Sequence, residues 1–89
     1  MAEKISKEKI KAMDRLIFLV RVSEKKNTEK GTQDLRMGFE AIAKELDKLG
    51  IPMWKQNYIT MLAKDTNLYM TDIIKKVYYL KKPSDFKRK

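Results

Sequence analysis

Seven basic side chains, Lys75, Lys76, Lys81, Lys82, Lys87, Arg88 and Lys89, fall within the last fifteen residues against one acid, Asp85. Residues 1 to 52 carry twelve basic groups against nine acids, so six of the formal +9 charge (seven minus one) sit at one end. Such a field makes and breaks no bonds; it attracts polyanions such as nucleic acid, anionic lipid or an acidic protein. A second set of residues has the chemistry to read a nucleic acid as well as hold it. Lys55, Gln56, Asn57, Thr60 and Lys64 are spaced to spread over the polar side of one helix. Lysines suit phosphates there, and side-chain amides pair bidentately with adenine. Catalytic groups are scarce. The chain has no cysteine and no histidine, which removes disulfides, zinc fingers and any thiol or imidazole nucleophile or base. Ser6, Ser23 and Ser84 lie in polar contexts with no partner to activate a hydroxyl. The expectation is a binding protein without enzymatic activity, cofactor or metal.

The elements that must position these groups are helical. Ile10, Met13, Ile17 and Val20, with Leu16 and Leu19 beside them, match one helical face over residues 4 to 22. A strand at 16 to 22 competes, since Ile17, Val20 and Val22 are β-branched, but no second segment alternates to pair with it. Residues 23 to 33 contain no apolar side chain and read as a solvated loop. A second helix begins near Thr32 or Asp34, either able to cap it. Its stripe of Leu35, Phe39, Ile42, Leu46 and Leu49 ends at Gly50, a residue suited to the left-handed turn that closes many helices. Pro52 opens a third helix over about 53 to 65, with Trp54, Tyr58, Met61 and Leu62 expected inward. Thr71 caps a fourth that runs to about Lys82, with Ile73, Val77 and Leu80 inward, before Pro83 stops it. The fold expected is therefore all-α, a compact bundle of about four helices in a single domain spanning 1–89, with a basic tail at 83–89. A chain of 89 residues can bury roughly 60–65% of its unfolded surface in one core.

The second and third helices, joined by a short turn containing Gly50, form a helix-turn-helix-like pair, with 37 to 49 supporting and 53 to 65 recognising. The run Ala41-Ile42-Ala43-Lys44-Glu45-Leu46-Asp47-Lys48-Leu49-Gly50-Ile51-Pro52 resembles the segment preceding the recognition helix in many bacterial regulators. It is also similar to part of the recombinase domain of large serine recombinases, with Trp54 and Ile59 in the tryptophan and apolar positions that follow. The resemblance covers about a third of the chain. The catalytic domain of that family has no counterpart in these residues, so no catalysis is implied. Leu46 stands where the commonest repressor arrangement has a small residue.

Trp54, Tyr58 and Tyr78 fall on apolar stripes and are expected in the core, although aromatics beside basic residues also suit stacking on single-stranded bases. The six methionines fill core gaps or form a plastic docking groove. Lys75 to Lys82 partly complement a helix dipole, whereas residues 87 to 89 lie beyond Pro83 and are better explained by polyanion contact. Lysine outnumbers arginine seventeen to four, which base composition alone can produce. The longest apolar run, Leu16 to Val20, is far too short to span a bilayer, and residues 1 to 4 lead into charge, not an apolar signal core. A cytoplasmic location is expected. The partner expected is DNA, duplex above all, bound by a regulator or architectural accessory factor of a bacterium, phage or mobile element. A homodimer is a further expectation, from the apolar surface of the first two helices. An acidic protein bound by a helical adaptor or inhibitor is the alternative, and a membrane is not expected.

Overall fold

In a computed structural model, residues 4–25 and 32–86 are described, the side chains of 32–36 excepted. They form four helices, α1 (Lys7–Lys25), α2 (Thr32–Lys48), α3 (Met53–Ala63) and α4 (Met70–Tyr78), followed by a 3-10 turn at Pro83–Asp85. The all-α expectation is met, and no strand occurs among the described residues.

Ser6 starts α1: its Oγ accepts the Lys9 N–H at 3.2 Å, satisfying one of the donors that a helix start leaves open. The competing strand at 16 to 22 is excluded by burial. In a strand Phe18 would share a face with Leu16 and Val20, yet those two are buried while Phe18 is 59% exposed. Helix periodicity turns Phe18 away from the stripe of Ala12, Met13, Leu16, Ile17 and Val20. The expected caps of α2, Thr32 and Asp34, and its stripe residue Leu35 lie outside the described side chains. Its far end is as read: Gly50 has φ 87°, the Ile51 N–H reaches the Leu46 carbonyl at 2.9 Å, and the Gly50 N–H reaches Asp47 at 3.1 Å. This is the doubly bonded glycine closure of a helix, and buried Leu46 and Ile51 add the apolar contact that accompanies it.

Helix α1 is the centre of the bundle and packs against each of the other three. It approaches α2 closely at Gly38, where a Cβ would stand 3.3 Å from a Leu19 methyl. An Arg15–Glu45 ion pair crosses the same seam. On its other side Arg21 reaches three carbonyls: Nε donates to Ala63 at 2.8 Å, and Nη2 to Asp65 at 3.0 Å and Leu68 at 2.7 Å. These oxygens belong to the end of α3 and the connector after it, so one guanidinium both caps α3 and fixes the path to α4. Ile42, Leu46, Ile51, Ile59, Ala63, Ile73, Ile74 and Val77 complete the core around α1.

Helix α4 differs from expectation at both ends. Tyr69 stands at its N-cap without a side-chain bond, which puts Thr71 inside the first turn. The helix ends at Tyr78 rather than near Lys82. Leu80 packs against the core, and Lys82 is extended (φ −152°, ψ 158°), leading into the 3-10 turn at Pro83.

Candidate nucleic-acid interface

Helix α3 begins after Pro52, whose carbonyl accepts the N–H groups of Lys55 and Gln56 at 3.0 and 3.1 Å. Its orientation about its own axis corrects the sequence reading. The buried side chains are Gln56, Ile59 and Ala63, whereas Trp54, Tyr58, Met61 and Leu62, expected inward, are only half-buried. Gln56 is 4% exposed, and its Nε2 donates to Asp47 Oδ1 at 3.0 Å and to the Ile51 carbonyl at 2.9 Å. It therefore latches α3 to the turn that ends α2, and its amide is committed to protein rather than to a base edge. The half-buried Thr60 hydroxyl donates to the Gln56 carbonyl at 3.0 Å. Asn57 is exposed and lies with Thr60, Met53 and Phe39 along a groove of about 230 Å³ between α1, α2 and α3. The turn joining α2 to α3 has the expected form, yet α3 is seated mainly on α1 and α4 and touches α2 far less. Bulky, fully buried Leu46 occupies the corner where a small residue would allow a closer crossing.

The lysines divide into engaged and exposed groups. Lys55, expected to face phosphates, is half-buried: its Nζ donates to the Tyr78 carbonyl at 2.5 Å and lies 5.6 and 5.3 Å from the ring centroids of Trp54 and Tyr78. Burial, and secondarily the charge of Lys9, pushes its pKa below the ordinary lysine value. Lys64 is exposed and pairs with Glu24 at 3.8 Å, a long surface contact of little energetic weight. Lys75, Lys76, Lys81 and Lys82 are exposed. The first two share the outer side of α4 with Asp72, one turn earlier, which offsets part of their field. Asp85 is used locally, its carboxylate accepting the Lys81 N–H at 3.3 Å. Lys87, Arg88 and Lys89 lie outside the described residues.

Sequence reasoning missed how the aromatics assemble. Trp54 meets Tyr58 edge-on at 5.8 Å, and Tyr58 stacks on Phe86 at 4.1 Å with 18° between the rings. Tyr58 Oη also reaches the Pro83 carbonyl at 3.4 Å, so the residues after α4 are held against α3. Tyr78 meets Tyr79 edge-on at 5.1 Å and accepts at its hydroxyl a 3.2 Å bond from Lys9 Nζ. Lys55, between Trp54 and Tyr78, joins the two aromatic groups into one ledge. All three aromatics expected in the core are half-buried: Tyr58 and Tyr78 pack against the core from its edge, whereas Trp54 is not among the side chains packed on it. Placing Trp54 off the core and Gln56 within it requires the correct rotation of α3, which its sequence barely encodes because apolar side chains occur all round it. No helix among the described residues is long and apolar enough to cross a membrane. No protein-family model, curated protein or solved structure matches this chain.

Proposed function

We propose that this chain is a small non-catalytic DNA-binding protein, an accessory or architectural factor that grips duplex phosphates through its basic C-terminal edge. The observation that carries this reading is the exposure of Lys75, Lys76, Lys81 and Lys82 together with the location of the ion pairs found among the described residues, Arg15–Glu45 and Lys64–Glu24, elsewhere on the surface. The commitment of Gln56 and Thr60 to internal bonds favours an architectural role over a sequence-reading one, with Asn57 left as the exposed amide of the original set. The exposure of Phe18 on α1 and Met37 on α2 supports a homodimer as the working form, which sedimentation across a concentration series tests.

The test of DNA binding is the affinity for unrelated duplex sequences across a salt series. Each phosphate contact contributes a slope of about 0.9 in log K against log salt, so these four lysines should contribute about 3.6 of the total fall, about equally for all sequences. Absent or salt-independent binding rejects the reading. A protein partner is the second reading, favoured by Met53, 56% exposed at the mouth of the α1–α2–α3 groove. It predicts that Met53→Glu abolishes capture of that partner while leaving the salt-dependent DNA affinity intact.

A further inference from the structure

We infer that the ledge of Trp54, Tyr58, Phe86, Tyr78 and Tyr79 around Lys55 is a stacking platform for the unpaired bases of single-stranded nucleic acid. This deepens the nucleic-acid reading above and rests on it.

Five of the eight aromatic residues of the chain gather in this one place, and none of them is fully buried. A cluster serving only the core would withdraw its rings from water, since apolar burial is what makes large aromatics stabilising. Tyr58 and Tyr78 pack partly on the core, but Trp54, Tyr79 and Phe86 are not among the side chains packed against it. Tyr79 is 44% exposed, and Trp54 finds its neighbours in Tyr58 and Lys55 rather than among the buried side chains of α1 and α4.

The charge around the ledge selects the occupant. Lys55 and Lys9 are engaged with Tyr78 and add a positive field behind the rings, while exposed Lys81 and Lys82, which follow Tyr79 closely in the chain, are the cations open to phosphates. Aromatic faces flanked by ammonium groups match a polymer that alternates flat bases with phosphates. In a duplex the base faces are covered by their neighbours, and only unpaired bases offer a face to a protein ring. Phosphate attraction alone would need none of these aromatics. Both single-stranded DNA and RNA have the required chemistry, and the experiment separates them.

Trp54 is the only tryptophan, so its emission reports contact at the ledge directly. The full chain is titrated with oligo(dU), oligo(rU) and a duplex of equal length, following both affinity and Trp54 fluorescence. Quenching by a single strand and not by the duplex is expected, and the stronger of the two single strands identifies the sugar preferred. Trp54→Leu should weaken single-strand binding at least about fivefold, the lower end of what one stacked base contributes, while Trp54→Phe retains most of it. Phe86→Leu, which keeps the apolar volume and the Trp54 reporter, should weaken it as well, and melting curves verify that each variant is folded. Single-strand binding without quenching, and unchanged in Trp54→Leu, overturns the inference and reduces the ledge to an anchor for the tail. Salt-dependent duplex binding with no single-strand preference overturns it too, while leaving the nucleic-acid reading standing. Loss of binding to all three probes removes both.

Discussion

Truncating Gln56 to alanine tests the orientation of α3 more directly than any other single change. The side chain is 4% exposed and donates two hydrogen bonds from one nitrogen, to the Asp47 carboxylate at 3.0 Å and the Ile51 carbonyl at 2.9 Å. A buried bond to a neutral carbonyl contributes about 1 kcal/mol net, and a bond to a charged group about 1.5–3 kcal/mol, with the lower figure apt because Asp47 is exposed. With the Ile51 carbonyl left unpaired and the amide volume empty, the loss should be about 2–3 kcal/mol. At about 4–8 °C per kcal/mol for a domain of this size, thermal denaturation should shift down by roughly 10–20 °C. Asn57→Ala, one residue along and exposed, should stay within about 0.5 kcal/mol of the parent. Gln56→Glu sharpens the test, since it aims an anionic oxygen at Asp47 and the Ile51 carbonyl. Its defect should be greater than that of Gln56→Ala at neutral pH and should shrink as the new carboxyl is protonated in acid. If Gln56→Ala melts like the parent while Asn57→Ala is destabilised, α3 is turned the other way and its polar side is free to face a ligand.

Neutralising Lys75, Lys76, Lys81 and Lys82 to glutamine should flatten the duplex salt slope by about 3.6, whereas Lys55→Gln should leave it nearly unchanged because its ammonium is spent on Tyr78. Burial raises the pKa of Asp14 above the ordinary carboxylate value, and its Oδ1 is buried without a hydrogen-bond partner. The folded state therefore holds that proton more tightly than the unfolded chain, so this group's contribution to stability falls as pH rises from the unfolded value of 3.8 through the folded one. Asp14→Asn should accordingly raise the melting temperature at pH 7, with the gain vanishing below about pH 4, as melts at the two pH values would read. Gly50→Ala meets no atom within 4 Å, so its cost is that of holding a side-chain-bearing residue at φ 87°, about 1–2 kcal/mol by denaturant titration.

The parts of the fold that could be read from sequence are those where two signals agree. The stripe of α2 and the glycine after it point to the same end, and Gly50 closes the helix there. In α1 the i, i+3, i+4 spacing of Ile10, Met13, Ile17 and Val20 outweighed β-branching, and a strand could not have hidden Met13 and Ile17 together with Leu16 and Val20. Helix α3 offered no such agreement. Met53, Trp54, Tyr58, Ile59, Met61 and Leu62 surround it, and polarity alone favoured turning Gln56 outward. Only the tertiary position of the Ile51 carbonyl and the Asp47 carboxylate makes an amide the better buried side chain there. The limit of α4 was hidden for a related reason: Leu80 continues the helical spacing but reaches the core after the helix has ended. Of the site, the charge asymmetry was visible in the residues themselves. The aromatic ledge was not, because it joins α3, α4 and Phe86 across the fold.

Phe86 does more than add a ring to that ledge. Stacked on Tyr58, it sets the point from which the sequence Lys87-Arg88-Lys89 departs, three residues whose reach is bounded at roughly 10 Å by chain geometry. A change of chain length beyond Phe86 would leave that point of departure unaltered. An insertion between Lys82 and Phe86 would instead slide Phe86 off its seat or force the 3-10 turn to bulge. Tolerance to added length should therefore change abruptly within a few positions of the same tail.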